Sequence, residues 1–178
     1  TEVIFGTMLF PDNLFKRAPK LKWIHIANVG VDRFLSGELF EGNAVITNSR
    51  GALASPIAEH VLTFMLMLAQ NAPRLIDNKA KRNWQRHTTM ELRDRTAGVI
   101  GMGAIGSEII RVAKGVGMRV VATRRSAIKR QPGQDGVDEV FPVKDLLQML
   151  HECDFVVIAA PLTDETRQLT LIGLPGVG

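Results

Sequence analysis

Three glycines stand where an anion could be held. Gly101-Met102-Gly103-Ala104-Ile105-Gly106 follows Ala97-Gly98-Val99-Ile100, a run apolar enough for a buried strand, and opens a helical stretch reaching about Val116. Between a strand and a helix, GxGxxG is a dinucleotide signature. Gly101 permits the tight turn, Gly103 keeps no side chain between the backbone and a pyrophosphate, and Gly106 lets helix and strand pack closely. The helix N-terminus adds unpaired N–H groups and a partial positive charge. A nucleoside-triphosphate loop is excluded, because Ser107-Glu108 follows Gly106 where Lys-Ser/Thr is required. The competing reading is a glycine-rich turn that binds nothing.

The second chemical signal lies one strand further on. NAD sites place a carboxylate about 20 residues after the glycines, to hold the ribose 2′-hydroxyl. Here Thr123 ends the next strand, and Arg124, Arg125 and Ser126 follow. No carboxylate is present to repel a phosphate, and guanidiniums bind phosphate in bidentate fashion. The sequence therefore predicts NADP as the preferred cofactor, with NAD as the alternative. Two solvated surface arginines are the plain reading of the same residues.

These residues need a scaffold, and the chain supplies an alternating one. Met118–Thr123, Val140-Phe141 and Phe155–Ile158 read as further strands, and Asp145–Leu150 as a helix. Continuous apolar strands separated by helices predict an α/β fold, a Rossmann-type parallel sheet covered on both faces. Ser55 suits an N-cap and Pro56 a first helical position. From Ile57 to Leu68 apolar residues run almost all round, which predicts burial on every face, in a core or against a second subunit. Beyond Pro73 the basic run Lys79, Lys81, Arg82, Arg86 and His87 carries no nucleic-acid recognition motif and reads as a solvated helical face. The N-terminal third shows strands at Val3–Phe5, Leu21–Ala27 and Ala44–Thr47, with a short helix opened by Pro11-Asp12-Asn13 and closed by Pro19. Three strands alone make a poor core. We divide the chain into residues 1–52 and 53–178, the second being the nucleotide-binding part.

Composition sets the outer limits. With 178 residues the chain holds one domain or two small ones. Hydrophobic residues at 46% against 22% charged exclude a disordered chain. The lone Cys153 cannot form an internal disulfide, which fits a reducing, cytoplasmic setting. No stretch approaches the roughly 20 apolar residues of a membrane span. Neither a metal site nor a nucleic-acid or membrane partner is expected.

Four segments in order carry a resemblance: LKWIHIANVGVD (Leu21–Asp32), ITNSRGALASPIAEH (Ile46–His60), GVIGMGAIG (Gly98–Gly106) and CDFVVIAAPLTDETRQL (Cys153–Leu169). From about Leu21 to Leu169 the chain resembles the D-isomer-specific 2-hydroxyacid dehydrogenases. The resemblance implies hydride transfer between a nicotinamide cofactor and a small 2-oxoacid or D-2-hydroxyacid. It also implies a flavodoxin-like α/β substrate domain, of which residues 1–52 are a part, and a homodimer formed through the helix after Ser55. Val29 and Gly30 match the loop whose N–H groups hold the substrate carboxylate. Gly103, Ala104 and Ile105 match the pyrophosphate turn, and Arg124 stands where NAD users carry Asp. Ala160 and Pro161 match the segment along the cofactor ribose, and Thr166 a loop that touches it; Ala159 departs from the polar residue often found there. The family's catalytic Arg, Glu and His come after the PLTDETRQL segment, so no catalytic residue is assigned, and the last residues depart from the family pattern. Asn48-Ser49-Arg50-Gly51 looks like the arginine turn but precedes the glycine motif. His25, His60, His87 and His151 read as structural. The expectation is a piece of a longer dehydrogenase, truncated at both ends and inactive by itself. A dinucleotide-binding scaffold or co-repressor without turnover is the alternative.

Overall fold

The computed structural model describes residues 1–6, 10–11, 13–30, 42–134, 136–161, 163 and 166. It separates into two compact units, Thr1–Leu53 and Ala54–Gly178. Parts of the segments that carry the family resemblance, at 31–32, 162, 164–165 and 167–169, lie outside the described residues, as do the divergent last residues.

The first unit is a parallel sheet in the order β1 (Val3–Gly6), β2 (Trp23–Ile26), β3 (Val45–Asn48). Ile4, Ile24 and Ile46 stand in register across it. Because side chains alternate along a strand, these and Ile26 fall on one face, where they pack with Leu14, Leu21 and Phe15. Val3, Phe5, Trp23 and Val45 fall on the other face and are exposed, Phe5 by 71%. The short helix α1 (Leu14–Arg17) starts after Asn13, which takes the left-handed conformation (φ 63°) that a short polar side chain tolerates.

The second unit carries a five-stranded sheet in the order β6 (Gln131–Pro132), β7 (Glu139–Phe141), β5 (Arg119–Thr123), β4 (Thr96–Ile100), β8 (Phe155–Ile158). All pairings are parallel except β6 with β7. Ala97, Val99, Val120 and Ala122 face helices α2 (Ala54–Ala69) and α4 (Ala104–Gly115). Ile100, Val121 and Phe141 face helix α5 (Leu146–His151), which buries Leu146 and Met149. Helix α4 buries Gly106, Ile109, Ile110 and Ala113, the i, i+3, i+4, i+7 stripe of an amphipathic helix. Asp154 and Asp138 secure the strand starts: the Thr96 N–H donates to Asp154 Oδ2 at 2.8 Å, and the Val120 N–H to Asp138 Oδ2 at 2.7 Å.

Two expectations are corrected, and one is met in part. Ser55 is not an N-cap. It is the second residue of α2, and its hydroxyl donates to Glu59 Oε1 at 3.4 Å; Pro56 still sits where the helix leaves its N–H groups unpaired. Helix α2 buries one face within the chain, and its remaining apolar residues are left to the second-subunit alternative. Ala58, Met65 and Ala69 are buried, but Phe64 and Leu68 are 51% and 67% exposed, because α4 and the sheet cover one face only. The basic run is not a single helical face. Helix α3 (Ala72–Ala80) ends before Lys81, Arg82 turns left-handed (φ 51°), and residues 83–91 continue as irregular chain with Trp84 93% exposed. Strand β6 was not foreseen. No helix among the described residues is long and apolar enough to cross a membrane.

Candidate functional site

The chain leaves β4 towards β5 and β7 on one side, then returns to place β8 on the other. The carboxyl ends of β4 and β8 thus flank a topological switch point, the crevice where open α/β sheets bind ligands. Gly101 leaves β4 with φ 97°, and a Cβ there would lie 2.8 Å from the Ala160 backbone. A Cβ on Gly106 would lie 2.0 Å from the Gly101 carbonyl oxygen, so α4 starts as close to the turn as backbones allow. Around Gly103 the situation is reversed: a Cβ would meet nothing within 4 Å. Gly103 is also the N-cap of α4; no side chain caps the helix and no acid stands in its first turn. The N–H groups at the start of α4 have no partner within the helix, and Gly103 and Ala104 at that end are exposed. A pyrophosphate fits this geometry by shape and by charge.

Beside the turn lies a cavity of about 290 Å³ lined by Met102, Arg124, Gln131, Pro132, Gln134 and Val140. Arg124 is exposed, and its N–H donates to the Phe141 carbonyl at 3.2 Å. Arg125 and Ser126 are exposed and do not line the cavity, and Thr123 is buried within β5. Of the four residues read at this strand end, the structure brings Arg124 alone to the cavity. Gln131, Pro132 and Gln134 escaped the sequence reading, since no β-branched run marks β6. Ala160 packs against Gly101, and the Ala159 N–H donates to the Ile100 carbonyl at 2.8 Å. Pro161 is exposed. Thr166 turns its hydroxyl into its own loop, donating to the Pro161 carbonyl at 2.6 Å and accepting from the Thr163 N–H at 2.7 Å.

In the first unit the Asn48 side-chain amide donates to the Val29 carbonyl at 2.8 Å, and Gly30 is exposed. The ring nitrogens of His25 lie 2.9 Å from Thr47 Oγ1 and 3.1 Å from Ser49 Oγ. His60 meets Phe64 edge-on at 4.7 Å. His87 Nε2 lies 3.4 Å from the Gln70 carbonyl, and its Nδ1 is buried without a hydrogen-bond partner. Exposed His151 closes α5. Among the described residues no histidine pairs with a carboxylate. Cys153 is a free thiol whose Sγ donates to the Met149 carbonyl, and burial pushes it up to about 11.

Residues 62–171 match the family model described as D-isomer specific 2-hydroxyacid dehydrogenase, NAD binding domain. The chain belongs to this family. The D-3-phosphoglycerate dehydrogenase of Archaeoglobus fulgidus is 33% identical over 93% of this chain and 30% of its own length. Among solved structures, a D-isomer specific 2-hydroxyacid dehydrogenase family protein of Aeromonas salmonicida superposes with a TM-score of 0.77 and 31% identity, over 86% of this chain and 48% of that one. A probable 2-hydroxyacid dehydrogenase of Rhizobium etli, solved with NADP, HEPES and L(+)-tartaric acid, gives 0.75 and 28% over 93% and 50%. The chain thus spans about half the length of the 2-hydroxyacid dehydrogenases solved and under a third of the curated relative. The Rossmann-type parallel sheet is the fold these dehydrogenases share with it.

Proposed function

We propose that the second unit binds a nicotinamide dinucleotide, NADP in preference to NAD, for hydride transfer between it and a 2-oxoacid or D-2-hydroxyacid. The observation that carries this reading is the contrast among three glycines of one turn: two are closed in by backbone and the middle one opens onto empty space. In this reading the N–H groups at the start of α4 hold the pyrophosphate, Ala160 and Pro161 flank the ribose, and Arg124 meets the 2′-phosphate. The nicotinamide, when bound, supplies or accepts the hydride. Backbone amides of Val29 and Gly30 hold the substrate carboxylate, in a loop fixed by the Asn48 amide. We assign no general acid or base among these 178 residues. The chain by itself is expected to bind NADPH without reducing glyoxylate or hydroxypyruvate, and steady NADPH consumption by a pure preparation overturns that assignment. Two further points belong to the proposal: a homodimer formed through α2, supported by the exposed Phe64 and Leu68, and a cytoplasmic location, supported by the free thiol of Cys153.

Cofactor titration tests the central claim. One charge-assisted hydrogen bond contributes roughly 1.5–3 kcal/mol, equivalent to about tenfold to a hundredfold in affinity. Arg124→Asp should weaken NADPH and improve NADH, because Asp repels the phosphate and accepts from the 2′-hydroxyl. Arg125→Ala should change little. An unchanged NADPH-to-NADH ratio in Arg124→Asp refutes the preference.

A further inference from the structure

We propose that the segment Gln131–Gln134, which enters the hairpin with β7, is a second determinant of cofactor choice: Gln131 and Gln134 offer their carboxamides to the ribose 2′ group beside Arg124, and Arg130 is the residue that positions Gln131. The proposal rests on the dinucleotide reading of the glycine turn.

The cavity at the end of β5 has two walls. Met102 and Arg124 form one, and the hairpin forms the other through Gln131, Pro132 and Gln134. No carboxylate lines it among the described residues. A guanidinium only donates, whereas a carboxamide both donates and accepts. A wall of two amides can donate to phosphate oxygens and can also accept from a ribose hydroxyl. Such a wall adds to the preference of Arg124 for a 2′-phosphate while still admitting a 2′-hydroxyl.

In the hairpin, beyond the short ladder of β6 with β7, the Gly133 N–H donates to the Asp138 carbonyl at 3.0 Å and the Val137 N–H to the Gln134 carbonyl at 3.1 Å. Strand β6 is two residues long, and Pro132 has no N–H to give. Its turn is tight: a Cβ on Gly133 would lie 2.2 Å from the Val137 carbonyl oxygen, and Gly136 has φ 86°. Arg130, immediately before Gln131, adds a side-chain tie to the rest of the unit. Its guanidinium donates to Glu152 at 2.7 Å and 3.1 Å, pairs with Glu139, and lies 4.4 Å above the Phe141 ring. Arg119 reaches the same two glutamates at 3.2 Å each. Phe141 closes the connection, because its carbonyl accepts the Arg124 N–H. One buried residue therefore meets the Arg130 guanidinium with its ring and the Arg124 backbone with its carbonyl. Partly exposed ion pairs add little to stability, but three simultaneous contacts on one side chain fix the position of the next residue.

Calorimetric titration of NADPH and NADH into the whole chain tests this, with Gln131→Glu, Gln134→Glu, Arg130→Met and Arg130→Lys as variants. Each glutamate should weaken NADPH at least about tenfold, the loss of one charge-assisted contact, and leave NADH much less affected. Arg130→Met should lower the NADPH-to-NADH affinity ratio, with partial recovery in Arg130→Lys. A role in stability alone would lower both affinities together with the thermal midpoint, leaving the ratio unchanged, and that result overturns the positioning claim. If Arg130→Met does not fold, the exposed glutamines decide the matter. A wild type that binds neither cofactor sinks the dinucleotide reading and the hairpin with it. A wild type that binds both, with the glutamine variants indistinguishable from it, sinks the hairpin alone.

Discussion

Replacing Gly106 with alanine puts a methyl group 2.0 Å from the Gly101 carbonyl oxygen and 3.1 Å from its carbon. Ordinary contact begins near 3.4 Å, so helix or turn must move by about 1.4 Å. The obstacle is backbone, which no rotamer change relieves. Moving α4 outward loosens Ile109, Ile110 and Ala113 in the core beneath it. Overpacking of this kind costs typically 1–3 kcal/mol, and a backbone-on-backbone clash belongs at the upper end. About 3 kcal/mol lowers the melting temperature by roughly 6–12 °C at this chain length. Gly103→Ala is the control: it meets nothing within 4 Å and loses at most about 1 kcal/mol as a poorer N-cap. The same methyl, however, occupies the space proposed for the pyrophosphate, so Gly103→Ala should fold normally and bind NADPH at least about tenfold more weakly. Thermal melts and NADPH fluorescence titration of the pair are the assays. Wild-type stability in Gly106→Ala refutes the close-packing argument, and wild-type NADPH affinity in Gly103→Ala refutes the placement of the pyrophosphate.

Other expectations follow from groups further from the turn. With its thiol pushed up to about 11, native Cys153 should hold about two hundredfold less thiolate at pH 8 than a free thiol near 8.5 and, after its higher nucleophilicity is allowed for, react with a disulfide reagent at least about tenfold more slowly; reaction at the free rate contradicts this. The Arg130 hydrogen bond holds the Glu139 carboxyl below its usual range, and at Asp138 the opposing effect of burial is outweighed by the Val120 N–H and Lys114. Depressed carboxyls stabilise above their unfolded value of about 4, and that contribution is lost as pH falls through the lower folded value. Urea midpoints should therefore decline below about pH 4, and Glu139→Gln should flatten the decline. If α2 forms a homodimer, Phe64→Ser combined with Leu68→Ser should sediment as a monomer; a monomeric wild type at tens of micromolar rules out that interface.

The glycine turn was legible because its three requirements are local: a strand before it, a helix after it, and small residues between. The parallel sheet was legible for the same reason, since Val99, Val120 and Val156 stand in short apolar runs. What escaped was set by distant partners. Nothing near Gln131 announces a strand, because β6 exists through pairing with β7 and through the grip of Arg130 on Glu152, 22 residues away. Ser55 has the chemistry of a cap, but the helix begins one residue earlier and its hydroxyl turns to Glu59. The apolar residues of α2 called for burial in a core or against a second subunit, and composition cannot say how that burial is divided between the two. His25 illustrates the gap between residue type and role. Its partners Thr47 and Ser49 lie on and just beyond a neighbouring strand, visible only once β2 and β3 are in register.

The strand order has a consequence for synthesis. β4 is made first in its sheet and ends up with a neighbour on each side. Its partner β5 begins about 19 residues after β4 ends, but β8 begins only about 55 residues after. At roughly 5–20 residues per second, β4 waits about 3 to 11 seconds with one full set of peptide groups unpaired. An unpaired flat apolar strand is a template for other chains. The period of greatest hazard for this protein on the ribosome is the interval between Ile100 and Phe155, and slowing translation there should increase aggregation of the nascent chain.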